Sequence, residues 1–272
     1  MATSKTYFVA WDEMLPNCLE IDRQLTEGNL DFLAFDVTTE PVARKNWIVA
    51  EKVRYYGHFY NALKDFKETD HLLFAFNAGD AFTDKHVEMT NRFTQLMAED
   101  ENIWVMGPNL VWDGPSTVTT SILKSKKYPK LHLSVHIDGT IVMLRRELSL
   151  YVLDFYEWML ANNIMNFSTM HSGHSLDVVY CAWAIVNNKK VYKDGNFEVR
   201  TVQGSSYITN TAKESKAVLT GFASYVFKNG RDPREVLHVY DAFFKRLSMH
   251  PENNLDPLVV YRNASSIEEL DV

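Results

Sequence analysis

Two rhythms of apolar and polar positions run along the chain. Residues 6–11, Thr-Tyr-Phe-Val-Ala-Trp, read as a strand, residues 17–25 as a helix, and residues 30–35, Leu-Asp-Phe-Leu-Ala-Phe, as a second strand that ends at Asp36. Strand, helix, strand implies a parallel pair, because parallel strands need a crossover between them. The stretch 43–66 sets its apolar and aromatic residues at helical spacing and predicts one long helix, followed by an apolar strand over 71–76. Further helices are expected at 85–98, 146–160 and 176–187, and strands at 103–106 and 139–144. Short strand-like pieces follow at 190–192 and 197–199. Residues 212–249 predict two helices separated by Asn229-Gly-Arg-Asp-Pro233, since Gly stops one helix and Pro starts the next.

The alternation makes the fold α/β, with a mostly parallel central sheet flanked by helices and a C-terminal helical appendage. No internal repeat or linker-like tract breaks the pattern. One catalytic domain is expected over residues 1–210, with a helical extension over 211–272 packed on it. The 46% hydrophobic and 13% aromatic content of the 272 residues suffices for a large interior. A net charge of -7 argues against coating nucleic acid by bulk electrostatics, although a local basic patch is compatible with it. The two cysteines, Cys18 and Cys181, have no ligand spacing and read as buried thiols. Residues 1–12 lack the apolar core of a signal peptide, and no stretch approaches the roughly 20 apolar residues of a membrane span, so a soluble, cytoplasmic protein is expected.

Ligands of open α/β sheets bind beyond the carboxyl ends of the strands. Asp36 and the turn Asn77-Ala-Gly-Asp80 follow predicted strands and therefore share one edge, and Trp11, which ends the first strand, is a further candidate donor contact. Asp80 is placed to hold a divalent ion, Mn or Mg, that bridges a diphosphate, since hard cations take oxygen ligands. Taken alone, an acid in such a turn is more often a turn residue or a helix cap. Asp177, in Gly173-His-Ser-Leu-Asp177, opens a helix, where a carboxylate suits the dipole and also stands rigidly enough to act as a general base.

The βαβ start ending in Asp36, the strand into Asn77-Ala-Gly-Asp80, the Gly139-Thr-Ile-Val-Met-Leu-Arg-Arg-Glu147 strand, and Gly173-His-Ser-Leu-Asp177 before a helix together resemble family 2 glycosyltransferases of the GT-A type. Val191-Tyr-Lys-Asp194 and Gly204-Ser-Ser206 complete the resemblance, which covers about three-quarters of the chain. It implies a nucleotide-sugar donor, UDP-linked by preference, bound by Asp36 at the base and by Asn77, Gly79 and Asp80 at the diphosphate. Asp80 would be the metal-binding acid and Asp177 the catalytic base. The first acid of the usual Asp-any-Asp motif is replaced by Ala78 or displaced to Asn77, and the usual aromatic of the Gly-Trp-Gly-any-acid motif is His174. Arg54, before the metal strand, would border the donor pocket.

The acceptor side is less defined by pattern. His171 and His174 precede Asp177. His132 and His136 alternate in Leu131-His-Leu-Ser-Val-His-Ile137 as if on one strand face, which suits a pocket lining as well as a metal. The loop 124–130 carries Lys124, Lys126, Lys127 and Lys130 beside Tyr128, the pattern of a solvated loop or of a contact to an anionic acceptor. The chain also resembles the compact transferases of tailed bacteriophages that decorate hydroxymethylcytosine in viral DNA, which implies the host cytoplasm and DNA as acceptor. A bacterial surface-glycan transferase and a non-catalytic nucleotide-binding module of the same fold are the alternatives.

Overall fold

A computed structural model describes residues 3–53, 55–112, 121–125, 127–164, 175–201 and 211–236. Strand β1 (Ser4–Ala10) alternates its side chains between two apolar cores, Tyr7 and Val9 entering the larger and Phe8 and Ala10 the smaller. Burial on both faces explains why the strand reads as one apolar run. Helix α1 (Leu15–Glu27) closes the smaller core with Cys18, Ile21 and Leu25, then leads into β2 (Asp31–Asp36), parallel to β1. A short strand, β3 (Trp47–Val49), lies parallel outside β2, and α2 (Tyr55–Lys67) crosses back to β4 (Leu73–Asn77) on the other side of β1. The order β3-β2-β1-β4 reverses direction between β1 and β4. Such a switch point opens a crevice at the carboxyl ends of the strands.

The single helix expected over 43–66 is corrected by β3. Asn46 O accepts the Ala34 amide at 2.8 Å and Trp47 Nε1 donates to Asp22 Oδ1 at 2.9 Å, which ties this segment to β2 and to α1. Ile48 and Val49 are β-branched and fit an extended edge better than a helix. Apolar residues that match helical spacing thus close the edge of the sheet instead.

The chain continues through β5 (Ala81–Phe82), α3 (His86–Glu99), β6 (Ile103–Trp112), β7 (Ser121–Lys124), β8 (Leu131–Ser134), β9 (Ile141–Arg145), α4 (Arg146–Ala161), α5 (Leu176–Val186), β10 (Lys190–Thr201) and α6 (Thr211–Lys228). Strand β9 inserts between β4 and β6, antiparallel to both, so β6 and its parallel partner β10 run the same way as β1. The α/β fold is as expected, with a mixed sheet whose parallel half is β3-β2-β1-β4. Strand β6 runs past Met106 to Trp112, and the two pieces expected at 190–192 and 197–199 are one strand with a shift in register between Asp194 and Glu198. Buried Asp194 holds that irregularity by accepting Arg92 Nε at 2.6 Å and the Asn196 amide at 2.9 Å.

Helices α2, α4, α5 and α6 pack on one another over the larger core, where Phe59, Phe155 and Phe222 are fully buried. Each such side chain stabilises the fold by roughly 1.5–3 kcal/mol relative to exposure. Cys18 and Cys181 are buried free thiols. Among the described residues no helix is long and apolar enough to cross a membrane. Of the second helix expected before residue 249, residues 233–236 are helical and the rest lies outside the described residues.

Candidate functional site

The turn after β4 is fixed by its surroundings. Gly79 has φ +89°, and a Cβ there would lie 2.1 Å from Val9 O, so only glycine fits. Asn17 Nδ2 donates to Gly79 O at 2.9 Å and to Ala81 O at 3.0 Å, while Ala78 N donates to Thr140 O at 2.8 Å. Asn77 Oδ1 accepts the Gly79 amide at 2.8 Å. Strand β5 then pairs with Arg200 and Thr201 at the end of β10.

Within this rigid frame three buried polar atoms, Asn77 Nδ2, Asp80 Oδ1 and Thr201 Oγ1, have no hydrogen-bond partner among the described residues. Buried polar groups are nearly always paired, and leaving one unpaired costs about 1–3 kcal/mol. Three at one sheet edge make this turn the candidate site for a polar ligand. Burial is the main reason that the Asp80 carboxyl is pushed up to about 6, and the charge of Asp138 adds to the effect. Asp80's own amide tempers it, as does the nearby Thr201 hydroxyl, which lies outside good hydrogen-bond geometry.

Asp138 is a site residue that the sequence reading missed. It lies in the connection 135–140 between β8 and β9, where its Oδ1 accepts the Thr140 amide at 2.8 Å. Thr140 O in turn holds Ala78 N, which sets Asp138 beside the turn. Its charge acts on Asp80 and also on Lys193, whose ammonium is lowered by burial and partly restored by Asp138.

A divalent metal is tested by the same atoms. Among the described residues no three His, Cys, Asp or Glu side chains converge on a common point, so a closed protein cage is not what the site offers. A lone buried carboxylate oxygen, with a second acid nearby, fits an ion that completes its shell with phosphate oxygens and water. Asp80 would hold it. Bound there, the ion would neutralise charge on a departing diphosphate.

Asp36 is buried and occupied locally, Oδ1 accepting Thr38 N at 3.0 Å and Thr38 Oγ1 at 2.6 Å, Oδ2 accepting Val42 N at 2.6 Å. It shapes the loop after β2, and Asp12 ties the loop after β1 to it by accepting Thr39 N and Thr39 Oγ1 at 2.8 Å each. The Thr39 amide is the main reason the Asp12 carboxyl lies below its usual range. Trp11, half-buried between these loops, packs on the larger core.

Asp177 stands in the first turn of α5, with Oδ1 accepting the Ser175 and Val178 amides at 3.1 and 2.9 Å and Oδ2 lying 2.7 Å from His136 Nε2. His136 comes from the same connection as Asp138, beyond the end of β8 rather than on it. The expected strand face shared by His132 and His136 therefore does not form; His132 lies on β8 opposite Lys193 and beside Gly195.

No protein-family model and no curated protein matches the sequence. Solved structures do. A structure of S. aureus TarS 1–349 superposes with a TM-score of 0.57 at 12% identity, covering 96% of this chain and 78% of that one. A second S. aureus TarS structure gives 0.56 at 11% identity, covering 96% and 48%. GalNAc-T7, in a structure with UDP, GalNAc and Mn2+, gives 0.53 at 9% identity, covering 96% and 54%, so the chain spans about half the length of these last two. Both proteins have the GT-A fold. The fold is GT-A.

On this GT-A sheet the structure gathers Trp11, Asp36, Asn77, Gly79 and Asp80 along one edge, with the His136–Asp177 pair reached through the connection that also carries Asp138. It sets Lys127 elsewhere. Lys127 Nζ lies 4.0 Å from Asp100 Oδ2, which also accepts Lys190 Nζ at 3.1 Å, and 4.9 Å from the Tyr128 ring. Asp100 precedes β6 and Lys190 begins β10, so this cluster belongs to the amino-end edge. Arg54, Lys126, His171 and His174 lie outside the described residues.

Proposed function

We propose that the chain is a glycosyltransferase that takes a sugar from a nucleotide-sugar donor, UDP-linked, with a divalent ion at Asp80. The observation that carries this reading is the set of unpartnered buried atoms, Asn77 Nδ2, Asp80 Oδ1 and Thr201 Oγ1, at the switch point of a GT-A sheet. UDP and Mn2+ in the GalNAc-T7 structure support that choice of nucleotide and ion. Asp36, Trp11 and Arg54 are the proposed donor contacts beyond the turn. Asp177 is the proposed general base: it stands at a helix start fixed by backbone amides, and proton removal from an acceptor hydroxyl depends on geometry first.

For the acceptor we carry forward a hydroxyl on a modified base, or on its sugar, in phage DNA. Its support is the basic loop and not the catalytic edge, and Lys127 is already drawn to Asp100. Replacing Lys124, Lys126, Lys127 and Lys130 by Ser should flatten the salt dependence of DNA binding while leaving UDP affinity unchanged. Salt-independent acceptor binding by the parent favours a glycan instead.

The donor reading is tested by melting the protein with UDP-, GDP- and dTDP-sugars, with and without manganese. A ligand at 100 times its Kd stabilises the native state by about 2.7 kcal/mol. A rise confined to one nucleotide with manganese is expected. No rise with any of them removes the reading.

A further inference from the structure

One face of α5 grips the connection between β8 and β9. Asp177, Tyr180 and Cys181, at i, i+3 and i+4, reach the same two residues. Asp177 Oδ2 meets His136 Nε2 at 2.7 Å, Tyr180 Oη donates to Ile137 O at 2.8 Å, and Ile137 N donates to Cys181 Sγ at 3.3 Å. Tyr180 and Cys181 are fully buried, so their two bonds already dock the helix.

The third contact differs in kind. It sets an imidazole against a carboxylate with their side chains only 11% and 14% exposed. Burying such a pair is a weak source of stability, because desolvation offsets the attraction. Ser175, a residue with a side chain, also adopts φ +83° where its amide reaches Asp177 Oδ1, a conformation that costs about 1–3 kcal/mol. Strain and burial converge on the orientation of one carboxylate.

We infer that His136 is the positioning residue for Asp177, its Nε2–H donating to Oδ2 and fixing the carboxylate toward an acceptor hydroxyl. This rests on Asp177 being the base of the proposed transfer. In that step the acceptor O–H bond breaks as its proton passes to Asp177, and the acceptor oxygen bonds the anomeric carbon. The bond from that carbon to the diphosphate breaks, and its electron pair leaves with the nucleotide. His136 gains and loses nothing in this balance. Its contribution is placement, and a displacement of about 1 Å costs on the order of 10²-fold in rate.

His136→Gln keeps a side-chain N–H donor, whereas His136→Phe keeps ring volume and loses it. UDP release from UDP-glucose, UDP-galactose, UDP-GlcNAc and UDP-GalNAc with manganese, water serving as acceptor, is measured for the full chain beside UDP affinity and melting temperature. His136→Phe should lose on the order of 10²-fold in kcat with KM for the donor unchanged, and His136→Gln should recover most of it. Equal turnover in the two variants, or losses that merely follow the melting temperature, overturns the inference.

If His136→Phe does not fold, the parent protein decides by proton NMR. A downfield Nε2–H resonance of His136 that is lost in Asp177→Asn supports the pairing, and its absence overturns it. A parent protein that binds UDP and manganese but releases no UDP overturns the role of the pair while leaving the donor site standing. A parent that binds neither removes the donor reading and this inference with it.

Discussion

The turn after β4 and the start of α5 both present a carboxylate, in opposite states. Asp80 has a buried oxygen without a partner and a carboxyl pushed up to about 6, whereas Asp177 has amides on one oxygen and His136 on the other. In the proposed reading the first receives a cation and the donor. The second is already oriented. The proposed transfer needs this division, since the donor would bring its own phosphate charge to one side while the group that moves a proton must be in place beforehand.

The comparison breaks most visibly at Asp177. Asp177→Asn keeps the shape and caps the helix about as well, so melting should change little while turnover falls about 10²–10⁴-fold. Near-normal UDP release in this variant makes Asp177 a helix cap and ends the contrast. A smaller effect is expected at Gly79→Ala, where the new Cβ meets Val9 O and φ is positive. About 3 kcal/mol or more of stability should be lost. Denaturant unfolding measures this, and a neutral result removes the claim that the turn is rigid.

Asp80→Asn sharpens the contrast by acting in two directions. A native carboxyl at about 6 holds a proton that the unfolded chain releases near 3.8, so stability is lost as pH rises from about 4 to about 6. At neutral pH the variant should melt higher than the parent, by up to about 3 kcal/mol of stability, while losing manganese-dependent UDP binding. A variant that melts lower means that the charge is satisfied.

How far this site was legible in the sequence follows the same division. The strand ends at Asp36 and Asn77 show in local hydrophobicity, because β1, β2 and β4 are buried and their apolar runs stop at the sheet edge. The neighbours of Asp80 and Asp177 do not show, because His136 and Asp138 arrive from a connection placed by β9 inserting beside β4, a non-local pairing without a local signature. Strand β3 was hidden differently. Its few residues carry helical spacing and become a strand only through β2.

A gradual pH effect is expected away from both carboxylates. Burial lowers His58 and His86 to about 4, with the Val53 backbone partly opposing it at His58 and Glu20 with the Ala81 backbone at His86. Unfolded histidines bind protons near 6.5 that the native ones refuse. Stability should therefore fall as pH drops from about 6.5 toward 4, by at most about 1.4 kcal/mol per pH unit for each histidine. Melting curves over that range should flatten in His86→Gln. An unchanged slope assigns acid lability to other groups.

The unpartnered oxygen of Asp80 is tested most directly by calorimetric titration of UDP into the parent protein and into Asp80→Asn, each with and without manganese. The parent should bind UDP tightly only when manganese is present, and Asp80→Asn should bind it equally weakly in both conditions. Manganese-dependent UDP binding that survives intact in a folded Asp80→Asn would contradict a donor site built on that carboxylate.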